Sequence, residues 1–246
     1  IPVKSVDATY MIDKQLGYIK IKSFGETTYA ELLTSLAELQ EEGFQGLVID
    51  LRDNGGGYLQ SAIQMINEFL PEKRLIVYTK GRKFKKEEYY SDGRGSYENL
   101  PLIILTNEFS ASASEIFSGA IQDNDRGVII GRRTFGKGLV QQPIDFSDGS
   151  MLRLTVARYY TPSGRCIQKP YVKGHSREEY EMDLLTRYEH GEFFNEDSIH
   201  QTGEEYHTRI GRVVYGGGGI MPDYFVAEDT TQYTSYYNEV YNKGII

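Results

Sequence analysis

No uninterrupted apolar run in these 246 residues approaches the roughly 18 needed to span a bilayer, so the sequence offers no transmembrane helix. Basic residues are outnumbered, 27 Lys and Arg against 35 Asp and Glu, and the resulting net charge of -8 argues against nucleic acid as the main partner. Cys166 stands alone, which excludes an intramolecular disulfide framework and a thiol-only metal cluster while leaving the compartment open. There is no initiator Met, and no charged n-region or apolar h-region precedes Ile1, so the opening residues suggest a chain trimmed at its N-terminus. Histidine is scarce and confined to one stretch: His175, His190, His200 and His207 form no i, i+4 pair and no motif with an intervening catalytic Glu, so they are expected to be solvated surface residues. No His lies in the core segments, which argues against a Ser-His-Asp triad.

What is present is the alternation of short β-rich runs with longer amphipathic stretches that marks a layered α/β protein with helices flanking a sheet. Gly17 to Lys22 alternates as a strand; Tyr29 to Gln40 places Leu32, Leu33, Leu36 and Leu39 on one helical face, and Gly43 is placed to end that helix. Leu47 to Leu51 is a continuous apolar run like a buried strand, followed by the turn Asn54-Gly55-Gly56-Gly57 and a helix over about Leu59 to Leu70. The same unit recurs as Leu102 to Leu105, a turn over Thr106 to Ser110, and a helix over Ser112 to Gln122. Both turns fall at strand ends, where open α/β sheets place their sites. Further strands are expected at Val128 to Ile130, Val140 to Pro143 and Met151 to Ala157. From Gln168 to about Arg212 the texture becomes charged and aromatic, as in an insertion.

With histidine excluded, a serine nucleophile can still be activated by a lysine whose ammonium form burial disfavours. Ser112 sits at a predicted helix start among small neighbours, where unpaired amides and the helix dipole favour an oxyanion. The Ala113 amide is one candidate donor, and Gly56 or Gly57 in the glycine turn supplies the other, their missing Cβ atoms permitting close approach. Lys137 lies in a near miss to a phosphate loop: Gly131 to Lys137 matches Gly-x4-Gly-Lys, but Gly138 replaces the Ser or Thr that magnesium needs, and an extended run follows instead of a helix. If that run is a strand, Gln141 projects to the same face as Lys137 and can orient it. Taken singly, each feature has a plain structural reading: a capping box from Ser112 to Glu115, a tight turn at 54–57, a solvated loop cation at Lys137.

Together, Val48-Ile49-Asp50-Leu51-Arg52-Asp53-Asn54-Gly55-Gly56-Gly57, Ser110-Ala111-Ser112-Ala113-Ser114-Glu115-Ile116 and Thr134-Phe135-Gly136-Lys137-Gly138-Leu139-Val140-Gln141 resemble the motifs of the S41 peptidases, the C-terminal processing or tail-specific proteases. Tyr159 to Gly164 and Gly216 to Asp223 extend the likeness, which covers residues 17–167 and 213–246 and leaves the His-bearing stretch unaccounted for. The resemblance implies a serine endopeptidase with Ser112 as nucleophile, Lys137 as general base, 25 positions later as in the family, and Gln141 as its assistant. It implies an oxyanion hole from Ala113 and Gly56 or Gly57, a core like the Clp protease and crotonase folds with a mixed sheet and flanking helices, and no metal or organic cofactor. It further implies cleavage near the C-termini of protein substrates and a bacterial envelope or periplasmic setting. Members usually carry a PDZ domain that captures the substrate tail by strand addition. On that footing residues 1–16 are expected to be a junction left where a PDZ domain is absent, and 17–246 the protease core with 168–212 inserted. Two other readings are a catalytically silent binding or scaffold protein and a crotonase-like acyl-CoA enzyme.

Overall fold

Apolar runs without polar alternation belong to strands covered on both faces, and two such runs form the centre of a six-stranded sheet. The structure, a computed structural model, describes residues 4–170, 182–199, 203–231 and 239–240. The sheet runs in the order β1-β2-β3-β6-β7-β12, built from β1 (Val6–Met11), β2 (Leu16–Ile21), β3 (Gly46–Asp50), β6 (Leu102–Thr106), β7 (Val128–Gly131) and β12 (Tyr224–Phe225). Only the β1–β2 pair is antiparallel; β2 through β12 are parallel, so the sheet is mixed. Every residue of β3 is buried, as its unbroken apolar run foretells. A second, wholly antiparallel sheet has the order β5-β4-β9-β8, from β4 (Leu75–Lys80), β5 (Glu87–Tyr90), β8 (Leu139–Asp145) and β9 (Met151–Tyr160). A two-stranded ribbon pairs β10 (Glu205–His207) with β11 (Val213–Tyr215).

Helix α1 (Thr28–Glu42) ends at Gly43, whose φ of 80° is left-handed and open to glycine without Cβ strain. It packs on β1 and β2. Leu32, Leu36 and Leu39 are inside, whereas Leu33, expected on the same face, is 38% exposed; the buried stripe is narrower than the sequence suggested. Helix α2 (Leu59–Asn67) stops three residues short of the expected end, yet Phe69 and Leu70 beyond it are buried. Helix α3 (Ala113–Asp123) packs on α2, β4 and β7. Phe24, Phe69 and Phe117 form one aromatic chain through the core, with Phe117 touching both of the others. The strands β4 and β5 were not read from sequence; β4 buries Ile76 and Val77, whereas β5 is largely exposed. Residues 1–16, taken from sequence as a junction, include β1, an edge strand of the main sheet. Of the four histidines, His190 and His207 are described and His175 and His200 lie outside the described residues. In the 168–212 stretch the described part contains a short helix, α4 (Asp183–Glu189), and β10.

Candidate active site

Two parallel neighbours, β3 and β6, end side by side, and the loops that follow them are stitched together by Asn54. Its side chain is fully buried, donates from Nδ2 to Ile21 O at 2.8 Å and accepts the Gly56 amide on Oδ1 at 2.9 Å. Its carbonyl accepts from the Ala111 amide at 2.9 Å and the Ser114 hydroxyl at 2.8 Å. Asp50 sets the entry into this turn. Arg52 grips its carboxylate from the backbone amide and the guanidinium, and Tyr18 donates to it at 2.6 Å. Burial opposes the Asp50 charge, but Arg52 and Tyr18 outweigh it and hold the carboxyl below its ordinary value.

Among the three serines of 110–114, the structure separates one from the others. Ser110 and Ser114 are fully buried and spend their hydroxyls on Leu51 O at 2.7 Å and Asn54 O at 2.8 Å. Ser112 is only half-buried and lines a cleft of about 560 Å³ shared with Gly55, Gly56, Gly57, Lys137 and Gln141. Its backbone has φ 58° and ψ -112°, a region that costs a non-glycine residue about 1–3 kcal/mol. The strain turns Ser112 out at the head of α3.

The amides around Ser112 divide into engaged and free. Gly56, a candidate oxyanion donor from sequence, gives its N–H to Asn54 instead. Its role is steric: with φ 97°, a Cβ there would meet Ala111 O at 2.6 Å, Ser112 Cβ at 2.7 Å and Ala113 N at 2.8 Å. Gly57 bridges to Phe24 through its neighbours, Phe24 N donating to Gly56 O and Tyr58 N to Phe24 O. Among the described residues the Gly57 and Ala113 amides have no acceptor.

Lys137 enters the cleft from the loop before β8. It is half-buried, and among the described residues Nζ has no carboxylate partner. Leu139, Gln141 and Pro143 follow it along the cleft wall at every second position, as the strand period requires, although the β8–β9 register shifts between Val140 and Gln141. Gln141 is exposed on that wall. Tyr159, on β9, closes the wall from below; burial, with a smaller contribution from Tyr89, pushes its phenol up to about 12, so it stays neutral.

Glu115, from sequence only the far end of a capping box, holds the site together. It is fully buried and accepts the amides of Ser112 and Lys137 on Oε2, both at 2.8 Å, and the Thr134 hydroxyl and Gly136 amide on Oε1, both at 2.6 Å. Burial pushes its carboxyl up from the ordinary value, and these four donors counter that shift. One side chain thus fixes the backbones of both candidate catalytic residues. The spacing of Glu115 from Ser112 was legible; its reach to residues 134–137, twenty positions on, was not.

The sequence profile of peptidase family S41 matches residues 15–177. The chain belongs to peptidase family S41. A carboxyl-terminal-processing protease of Synechocystis sp. is 42% identical over 156 residues, 63% of this chain and 36% of that protein. A chloroplastic C-terminal processing peptidase of Tetradesmus obliquus is 40% identical over 156 residues, 63% of this chain and 33% of its own. Among solved structures, a photosystem II D1 C-terminal processing protease superposes with a TM-score of 0.65 at 27% identity, over 92% of this chain and 49% of that one. This S41 core therefore spans about a third of the length of the curated relatives it matches. The mixed, helix-flanked sheet is the S41 peptidase fold, as the sequence resemblance implied. No helix among the described residues is long and apolar enough to cross a membrane.

Proposed function

We propose that this S41 core is a serine endopeptidase working through a Ser112–Lys137 dyad, with protein substrates cut near their C-termini. The observation that carries the proposal is that Ser112 and Lys137, separated along the chain by α3 and β7, line one cleft beside two amides that have no acceptor among the described residues. Lys137 takes the Ser112 proton, Ser112 Oγ attacks the scissile carbonyl, and the oxyanion is received by the amides of Ala113 and Gly57. Lys137 then returns the proton to the leaving amine and activates the water that hydrolyses the acyl-enzyme, with Gln141 orienting it. Protein groups suffice for every step.

The relatives' descriptions as C-terminal processing proteases support tail-proximal cleavage, and their bacterial and chloroplast sources support an extracytoplasmic, envelope setting. A PDZ domain elsewhere in the protein would deliver the tail by strand addition.

A serine-directed acylating probe, with the modified residue mapped by mass spectrometry, is the first experiment. It is expected to label Ser112, and Ser112→Ala or Lys137→Ala is expected to abolish turnover of casein while leaving the circular dichroism spectrum intact. Turnover surviving in either variant refutes the dyad; a folded protein that is neither labelled nor active establishes the silent, scaffold reading.

A further inference from the structure

The family profile match ends at residue 177, and the described residues that follow it lean on the loop that presents Lys137. Arg187, from α4, is 5% exposed. Its Nη2 donates to Arg133 O at 2.7 Å and its Nη1 to Thr134 O at 3.1 Å, so one planar fork caps two successive carbonyls. Nε donates to Glu192 Oε1 at 2.8 Å. The Arg133 guanidinium closes the ring by donating to both oxygens of the same carboxylate. Glu192 is thus shared by two arginines, and its own amide returns to Arg187 O at 3.0 Å.

Thr134, one of the two residues held, passes the constraint inward. Its hydroxyl donates to Glu115 Oε1 and accepts the Ile220 amide at 2.7 Å, while its own amide goes to Ile220 O at 3.1 Å. Glu115 then receives the amides of Lys137 and Ser112. A continuous chain of hydrogen bonds leads from the guanidinium of Arg187 to the backbones of both members of the dyad. Every amide from Thr134 to Gly138 is also spoken for: Phe135 by Ser110 O, Gly138 by Gln168 Oε1. The loop carries three left-handed or flexible elements, glycines 131, 136 and 138, two of them at positive φ, so its shape depends on these external ties rather than on its own backbone.

We infer that Arg187, braced by Glu192, is a positioning residue for the peptidase reaction, and that α4 with the turn that carries Glu192 serves to lock the Lys137 loop in its working conformation. The inference rests on the Ser112–Lys137 reading. It makes catalytic competence of this core conditional on the docking of α4, which lies beyond the residues the family profile matches.

Arg187→Ala and Arg187→Lys test it. Lysine keeps the charge opposite Glu192 but lacks the fork that reaches both carbonyls. Because displacing a catalytic group by about an ångström costs on the order of 10²-fold in rate, Arg187→Ala is expected to lower kcat on casein by about that factor, and Arg187→Lys by about tenfold. KM is expected to stay within about twofold, since no substrate contact is removed. Acylation of Ser112 by the serine-directed probe should slow in parallel, and millimolar guanidinium ion should restore part of the rate of Arg187→Ala but none of Lys137→Ala. Wild-type kcat in folded Arg187→Lys overturns the inference, as does a loss of rate in either variant that tracks the fraction unfolded in a thermal melt. Should Arg187→Ala fail to fold, Arg187→Lys alone decides. Activity in Ser112→Ala would instead sink the dyad reading, independently of how the Arg187 variants behave.

Discussion

Ser112 combines a chemical requirement with a conformational cost. Its φ of 58° and ψ of -112° suit glycine, so the hydroxyl is presented at the expense of backbone strain that an inert helix start would avoid. Ser112→Gly is expected to be at least as stable as the parent and up to about 1 kcal/mol more so, measured by urea unfolding, while losing all turnover. A destabilised Ser112→Gly would mean that the hydroxyl is chiefly a helix cap. Sequence spacing alone picked Ser112 from its two neighbours through a family likeness. The physical reason lies in burial: Ser110 and Ser114 are sealed in and bonded to carbonyls of the glycine turn strand and loop. Glu115 was legible as a residue three beyond Ser112, but a carboxylate's ability to gather amides from residues 134–137 depends on a loop arriving from another part of the chain.

At the scale of elements, the site is the meeting of three loops at strand ends, and the closest contact is between backbones. The path of Gly56 against Ala111, Ser112 and Ala113 leaves no room for a methyl group, because each atom it would strike is backbone or the Cβ of Ser112. Gly56→Ala is therefore expected to displace the Ala113 amide and lower kcat/KM by about 10²-fold, with a stability loss of about 1–3 kcal/mol from strain at a positive φ. Peptide turnover and urea titration of the purified variant check both; unchanged kcat/KM would show that the glycine turn is remote from the reacting carbonyl. The apolar runs of β3 and β6 were readable because strands covered on both faces favour them, Asp50 at the end of β3 being buried only with its partners Arg52 and Tyr18. Leu33 was misplaced because a helical stripe predicts a direction, not how far the neighbouring sheet extends to cover it. Strands β1 and β5 escaped notice because their polar residues follow edge and surface positions, which leave a weak periodic signal.

For the whole molecule, the network around Asp50 ties the site to stability. Asp50 is fully buried at the end of β3, between Tyr18 of β2 and the half-exposed Arg52. Its carboxyl is held below the ordinary 3.8, so the stabilisation is fully present above that value and is lost as pH falls through the lower, folded one. Asp50→Asn is expected to cost about 2 kcal/mol at neutral pH, less than a fully buried pair because water reaches Arg52. The variant should also show a flatter decline in unfolding free energy between about pH 5 and about pH 2. Urea titrations across that range, parent against variant, would expose a parallel decline if the acid sensitivity arose elsewhere. By itself the sequence determined the layered α/β class, the strand-end placement of two loops and the peptidase family, and it singled out Ser112 and Lys137 as the proposed dyad, because these follow from local periodicity and from motif spacing. Only the tertiary structure decided that the Gly56 amide is engaged while that of Gly57 has no acceptor among the described residues, that Glu115 binds both halves of the site, and that Arg187 reaches the Lys137 loop. Those outcomes depend on which donors and acceptors distant segments bring within hydrogen-bond distance, and no stretch of chain encodes the position of a partner it meets only on folding.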